Sequence, residues 1–99
     1  MKLWVDDIRR PPDGTWIWVS HPDIAIWHLI NYSVSEMSLD HDLGVGATED
    51  CKEYDITTRP IVLWLCEHEH DWPEFVHVHS MNPVGKRWLL DMVDRYKPT

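Results

Sequence analysis

The chain has 99 residues, of which 43% are hydrophobic and 11% aromatic, and its formal net charge at pH 7 is −8. The length fits one domain, residues 1–99, and the apolar content excludes disorder. Neutral-pH binding to a long nucleic-acid track is excluded too, because it needs a basic face.

The chain also lacks the sequence features of membrane and secreted proteins. No apolar run approaches the roughly 20 residues that span a bilayer. The N-terminus becomes acidic directly after Val5, which argues against a secretory signal. Two cysteines form no disulfide framework. We therefore expect a cytoplasmic protein with free thiols.

The first elements are two short strands joined by a loop. Leu3–Asp6 is an apolar run that ends in acid and predicts a buried strand. Arg9–Gly14 is a proline-rich loop, and Trp16–Val19 predicts a second strand. The connection has only about nine residues, whereas a parallel crossover usually needs a dozen or more. The second strand could therefore be antiparallel, but the extended loop favours a parallel one.

A helix and a third strand follow. Ser20 or Asp23 is the predicted N-cap, with Pro22 in the first turn, and the helical spacing runs to about Asn31. Val34–Leu39 predicts the third strand, which again ends in acid. The helix is therefore predicted to connect the second and third strands.

The second half of the chain continues the alternation of strands and helices. The sequence predicts a polar loop over Gly44–Tyr54, a helix from about Thr57 to Glu69, a fourth strand over Phe75–His79, a loop over Ser80–Pro83 and a last helix over Val84–Tyr96. This alternation predicts an α/β fold, with four mostly parallel strands and helices on both faces of the sheet.

Polar side chains follow three of the predicted strands, at the point where each strand ends. Ligands of parallel α/β sheets bind outside the carboxyl ends of the strands, so these side chains are expected to converge there. The three clusters are Asp6-Asp7, Asp40-His41-Asp42 and His79-Ser80-Asn82.

The carboxylates of this group predict a cation site. Asp6, Asp7 and Asp40 would repel one another strongly unless a cation lay between them. Mg²⁺ or Mn²⁺ suits such oxygen ligands. The alternative is local capping, in which Asp7 closes the loop at Arg9 and Asp40 accepts hydrogen bonds from its own turn.

The histidines of the same group are candidates for proton transfer. His41 lies beside Asp42 and could be an oriented general acid or base, a ligand of a transition metal, or simply part of a polar loop. His77 and His79 lie two apart on a strand and face one side, where both could ligate one metal. We predict that His79 belongs to the site and that His77 is structural.

Phosphate-binding groups come at the end of the fourth strand. Ser80 and Asn82 can hydrogen-bond phosphate oxygens, and so can the backbone amides where the last helix begins at Val84. Lys86 and Arg87 lie in that first turn and could pair with phosphate or simply be solvated.

Three motifs in order carry a family resemblance that spans nearly the whole chain. The sequences LWVDDIR with the following PP, SLDHDLG and VHSMNPVG occupy residues 3–12, 38–44 and 78–85. This pattern resembles the cyclic-phosphate processing receiver-like domain, a family similar to response-regulator receivers.

The resemblance implies a small three-layer flavodoxin-like sandwich. It also implies that Asp6, Asp7 and Asp40 hold Mg²⁺, with Ser80 at the end of the fourth strand. The chain departs from receivers in lacking the fifth strand and its lysine, which argues against phosphorelay signalling.

These observations lead to one functional hypothesis. The protein is predicted to be a metal-dependent phosphoesterase that opens a cyclic phosphate on a nucleotide or an RNA end. Its predicted residues are Asp6, Asp7 and Asp40 for Mg²⁺ or Mn²⁺, His41 and His79 with Asp42 for proton transfer, and Arg9, Ser80 and Asn82 for the phosphate.

Other functions stay open. The same pocket could capture a cyclic nucleotide without cleaving it, or the chain could be a vestigial receiver that serves as an interaction domain. Acetyl phosphate would then label Asp40. The open edge of a four-stranded sheet could also pair with a second copy and form a homodimer.

Overall fold

The structure, a computed structural model, describes residues 1–98 as one sheet, a hairpin and three helices. The elements in chain order are β1 (Lys2–Val5), β2 (Trp16–Val19), α1 (Pro22–Asn31), β3 (Glu36–Leu39), β4 (Asp42–Ala47), β5 (Glu53–Thr57), α2 (Arg59–Glu67), a 3₁₀ turn (Glu69–Asp71), β6 (Phe75–Val78) and α3 (Pro83–Tyr96).

Four strands form one parallel sheet in the order β2-β1-β3-β6. Val5 pairs with Val19 on one side and with Leu39 on the other, so the three carboxyl ends are level. The predicted α/β class and four-stranded receiver-like sheet are confirmed, and β2 is parallel as expected.

The short crossover between β1 and β2 is possible because Asp6 folds the loop back on itself. Its Oδ1 accepts hydrogen bonds from the amides of Ile8 and Arg9, both at 2.9 Å. The indole of Trp4 donates to the Arg9 carbonyl at 2.8 Å, and that of Trp18 donates to the Asp6 carbonyl at 2.7 Å. Two tryptophans thus fix a connection that would otherwise need a helix.

The core lies on one face of the sheet, and all three helices contribute to it. The alternate strand residues Leu3, Val5, Met37 and Leu39 form a single buried cluster with side chains from α1, α2 and α3. The expectation of helices on both faces is therefore wrong. The opposite face carries Trp4, and the loop over residues 6–15 contacts it there.

The predicted loop over Gly44–Tyr54 is largely an antiparallel hairpin instead. β4 and β5 pair from Asp42 with Thr57 to Ala47 with Glu53. The sequence did not indicate these strands because most of their residues are exposed. They therefore lack the alternation of apolar and polar residues that marks a half-buried strand.

The start of α1 differs from the prediction as well. The N-cap is His21 rather than Ser20 or Asp23, because the His21 Nδ1 accepts a hydrogen bond from the Asp23 amide at 3.1 Å.

Among residues 1–98, no helix is both long and apolar enough to cross a bilayer.

The first turn of α3 packs against His41 through a glycine. A Cβ atom placed on Gly85 would lie 2.2 Å from Cγ of the His41 ring. Since that ring is buried and hydrogen-bonded at both nitrogens, it cannot easily move aside. A residue without a side chain is needed at this position.

Replacement of Gly85 by alanine should therefore destabilise the protein. We expect the free energy of unfolding of Gly85→Ala to fall by about 1–3 kcal/mol, the usual cost of overpacking. Urea denaturation measures it. The matched control is Gly14→Ala, where a Cβ has no neighbour within 4 Å. Equal stability of the two variants would contradict this packing.

Candidate functional site

Three carboxylates meet at the carboxyl end of the sheet. Asp6 and Asp7 follow β1, and Asp40 follows the adjacent β3. One oxygen from each lies within 4.8 Å of the others. Asp6 is only 2% exposed, whereas Asp7 and Asp40 are half-buried and accessible from solvent. The structure thus brings together the three predicted metal ligands, here called the acidic triad.

Hydrogen bonds hold Asp6 in its ionised form. Burial acts to raise the pKa of Asp6, but the amides of Ile8 and Arg9, together with His79, outweigh burial and leave that pKa below its ordinary value. The Asp6 Oδ2 atom lies 2.9 Å from Nε2 of His79. Asp6 is therefore a fixed, charged carboxylate at the base of the triad.

His79 lies below the triad rather than in open solvent. Its Nδ1 is 2.7 Å from the hydroxyl of Ser38, and its ring stacks on Trp4 at 3.9 Å between centroids. Burial lowers the pKa of His79 more than the neighbouring Asp6 raises it. A neutral ring with a proton on Nε2 fits this geometry, because Nε2 can then donate to Asp6.

His77 does not join this arrangement. Its Nε2 lies 2.9 Å from a carboxylate oxygen of Glu36, and its side chain is half-exposed. The two histidines of β6 thus have separate partners, which fits the expectation that His77 is structural.

Asp40 is the carboxylate of the triad whose ionised form is disfavoured by its surroundings. Burial, reinforced by the charge of Asp6, raises the pKa of Asp40 above its ordinary value, although the His41 amide and the Ser80 hydroxyl act to lower it. That amide donates to Asp40 Oδ1 at 2.8 Å. A cation beside Asp40 would favour its ionised form and lower its pKa.

His41 is buried and engaged at both ring nitrogens. The Arg59 Nε donates to its Nε2 at 2.9 Å, so the ring proton must be on Nδ1, 3.0 Å from Asp42. Only 5% of His41 is exposed. This geometry favours a positioning role for His41 and Asp42 over the proton transfer predicted from the sequence.

The predicted phosphate ligands differ in accessibility. The Asn82 side chain caps α3, accepting from the amides of Val84 and Gly85, and its Nδ2 donates to Asp42 at 3.1 Å. Ser80 is buried, and its hydroxyl accepts from the Asn82 amide. These contacts favour scaffolding roles for both side chains.

Arg9 is the predicted phosphate ligand with the most freedom. It is exposed, and its Nη1 donates to the His79 carbonyl at 3.2 Å, which keeps the guanidinium at the edge of the site. A guanidinium in this position can donate to phosphate oxygens.

The sequence did not single out the supporting residues. Thr58 donates from its hydroxyl to the Asp40 carbonyl at 2.6 Å and from its amide to the His41 carbonyl at 3.0 Å. Ser38 orients His79. A serine within the otherwise apolar end of β3 was the one available signal, whereas nothing local marked Thr58.

The donor set of the acidic triad fits a hard divalent cation. Three carboxylate oxygens are close enough to share one ion, and two of the residues stay open to water. Mg²⁺ and Mn²⁺ favour oxygen ligands, and Mg²⁺ in particular retains several waters.

Comparison with known proteins places the chain in a family. No curated protein and no solved structure matches it. The family model of the Cyclic-phosphate processing Receiver domain matches residues 1–95, nearly the whole chain. The chain therefore belongs to the cyclic-phosphate processing receiver domain family.

Proposed function

We propose that this protein is a metal-dependent phosphoesterase that opens a cyclic phosphate on a nucleotide or an RNA end. The observation that carries the proposal is the acidic triad, whose three carboxylates lie within 4.8 Å of one another at a solvent-accessible edge. Membership of a receiver family associated with cyclic-phosphate processing supplies the substrate class.

The proposed reaction is hydrolysis. A water oxygen forms a new bond to phosphorus, one of the two ring P–O ester bonds breaks, and the released oxygen takes a proton to become a hydroxyl. The product is a phosphate monoester. A divalent cation, when bound, would neutralise charge on the phosphoryl oxygens.

The residues of the chain have separate proposed roles in this reaction. Asp6, Asp7 and Asp40 hold the cation, and Arg9 binds a phosphate oxygen. His79 keeps Asp6 oriented through the contact between Nε2 and Oδ2. His79 is also the imidazole in direct contact with the triad. We propose that it transfers the proton that the attacking water loses to the released ester oxygen.

The remaining predicted residues are proposed to support this centre. The pair of His41 and Asp42 fixes the backbone at Asp40, since the His41 amide donates to that carboxylate. Ser80 and Asn82 hold the turn that leads into α3.

A second candidate function is ligand capture without cleavage. Both ring nitrogens of His41 and of His79 are engaged in hydrogen bonds in the described chain. A site whose histidines are all engaged can bind a cyclic phosphate through its cation without supplying a base for hydrolysis.

Metal binding is the first test. Asp40→Asn should weaken Mn²⁺ binding, which calorimetry measures. Loss of a residue that only hydrogen-bonds to a metal ligand costs roughly 10–100-fold in affinity, and we expect a larger loss here because Asp40 is itself a proposed ligand. Because ionised Asp40 is disfavoured by burial and by Asp6, we also expect the metal-free variant to melt no lower than the wild type.

The control for this experiment is Asp94→Asn. Asp94 is an exposed carboxylate in the last turns of α3, away from the triad. Its replacement should leave Mn²⁺ affinity unchanged. Equal loss in both variants, or none in Asp40→Asn, would refute a cation site at the triad.

Turnover is the second test. We expect the protein with Mg²⁺ or Mn²⁺ to convert a 2′,3′- or 3′,5′-cyclic nucleotide into a monoester, followed by ³¹P spectroscopy, and Asp40→Asn to abolish the conversion. Tight binding with the ligand recovered intact would support capture instead. The absence of both turnover and binding across a panel of cyclic mono- and dinucleotides would contradict both functions.

A further inference from the structure

Segment 14–35, which contains β2 and α1, is almost free of charge in a strongly acidic chain. Asp23 is the only Asp, Glu, Lys or Arg in it, whereas 26% of the whole chain is charged and the net charge is −8. Mixed charges on a protein surface keep separate copies apart in solution. A surface built from this segment lacks that protection.

The outer side of α1 is apolar, as its inner side is. Ala25 and Leu29 are buried in the core, while Ile24, Trp27 and Ile30, on the side of the helix turned away from it, are 50%, 51% and 63% exposed. A helix that is apolar on all sides is normally covered on all sides. The outer side of α1 therefore has the character of a contact surface.

Aromatic rings extend this surface past the end of α1. The Trp27 ring contacts that of Tyr32 edge-on at 5.6 Å between centroids, and Tyr32 is itself half-exposed. Large rings that are already held by their neighbours lose little conformational entropy when a partner covers them. The four exposed side chains are here called the α1 face: Ile24, Trp27, Ile30 and Tyr32.

The outer side of β2 pairs with no strand in the described chain. The Val19 carbonyl accepts from the Asp6 amide at 3.1 Å, so the backbone of Val19 faces β1. By the alternation of a strand, the N–H and C=O groups of Trp18 then point outward. Proline and lysine are the usual protection against edge pairing, and neither occurs within Trp16–Val19.

The α1 face and the edge of β2 lie at the same end of the sheet. Only Ser20 and His21 separate the two elements along the chain, and α1 packs on both β1 and β2. A partner that covers both needs a strand edge with a helix at the same spacing. A second copy has this pair of elements, and a two-fold axis perpendicular to the sheet brings β2 beside β2 with both α1 helices on one side.

The opposite edge of the sheet is less suited to meeting a second copy. A cleft of about 380 Å³ lies beside β6, and Glu74, Asp94 and Lys97 line it. Two copies that met there would bring together more carboxylates than lysines. Copies that meet through segment 14–35 bring together only the two Asp23 carboxylates, so repulsion between the acidic chains is smallest there.

We propose that two copies of this chain associate through the edge of β2 and the α1 face, so that their four-stranded sheets become one. The half-exposed apolar side chains of these surfaces provide roughly 500 Å² per copy, and strand pairing adds to this, toward the about 800 Å² that each partner of a standard interface buries. The dimer does not require the proposed phosphate chemistry.

Sedimentation equilibrium of the full chain measures the association. We expect the mass to rise with concentration to twice that of one chain. A monomer at every concentration up to about 1 mM would overturn the proposal and leave the α1 face to a different partner.

Two matched variants locate the interface. Trp27→Glu places a charge on the α1 face, and Phe75→Glu places one at the other edge of the sheet, on residues that are 51% and 52% exposed. Trp27→Glu should raise the dissociation constant at least about 30-fold, as for a tryptophan at the centre of an interface, whereas Phe75→Glu should not change it. Equal effects of the two variants, or a loss of the dimer in Phe75→Glu alone, would overturn the proposal.

Hydrogen exchange of the Trp18 amide tests the strand pairing separately. Because this amide points away from β1, it should exchange slowly only when a second β2 pairs with it. We expect protection in the wild type and rapid exchange in Ile17→Lys, since a lysine on an edge strand opposes pairing. This variant also tests the interface if Trp27→Glu does not fold. Rapid exchange of Trp18 in a dimeric wild-type protein would contradict the pairing of β2.

Discussion

Asp6 takes part in both the fold and the candidate site, and each depends on the same carboxylate. Its Oδ1 accepts the two amides that reverse the chain after β1, while its Oδ2 faces His79. The short loop keeps β2 parallel to β1, and the triad stays at the carboxyl edge. A single buried charge thus links the topology of the sheet to the position of the site.

The second constraint is repulsion within the acidic triad. The pKa of Asp6 is lowered because the fold supplies hydrogen bonds, whereas that of Asp40 is raised by burial and by the charge of Asp6. Such opposite shifts are typical of a centre where ionised carboxylates are crowded together. A bound divalent cation would turn this destabilising arrangement into a ligand set.

The sequence predicted the sheet and the acidic triad because both follow from simple periodicity. Buried strands end in Asp6 and Asp40, and level carboxyl ends bring those residues together. The hairpin of β4 and β5 was missed because its residues are mostly exposed. The sequence did not show the hydrogen-bond partners of His41 and Asn82, because those partners, Arg59 and the first amides of α3, lie far along the chain or in the next helix.

We propose above all that Asp6, Asp7 and Asp40 bind one divalent cation. Anomalous diffraction from crystals grown with Mn²⁺ tests it most directly. We expect one strong anomalous peak within bonding distance of oxygens from all three carboxylates. A triad without such a peak, in crystals where Mn²⁺ is bound elsewhere or not at all, would contradict it.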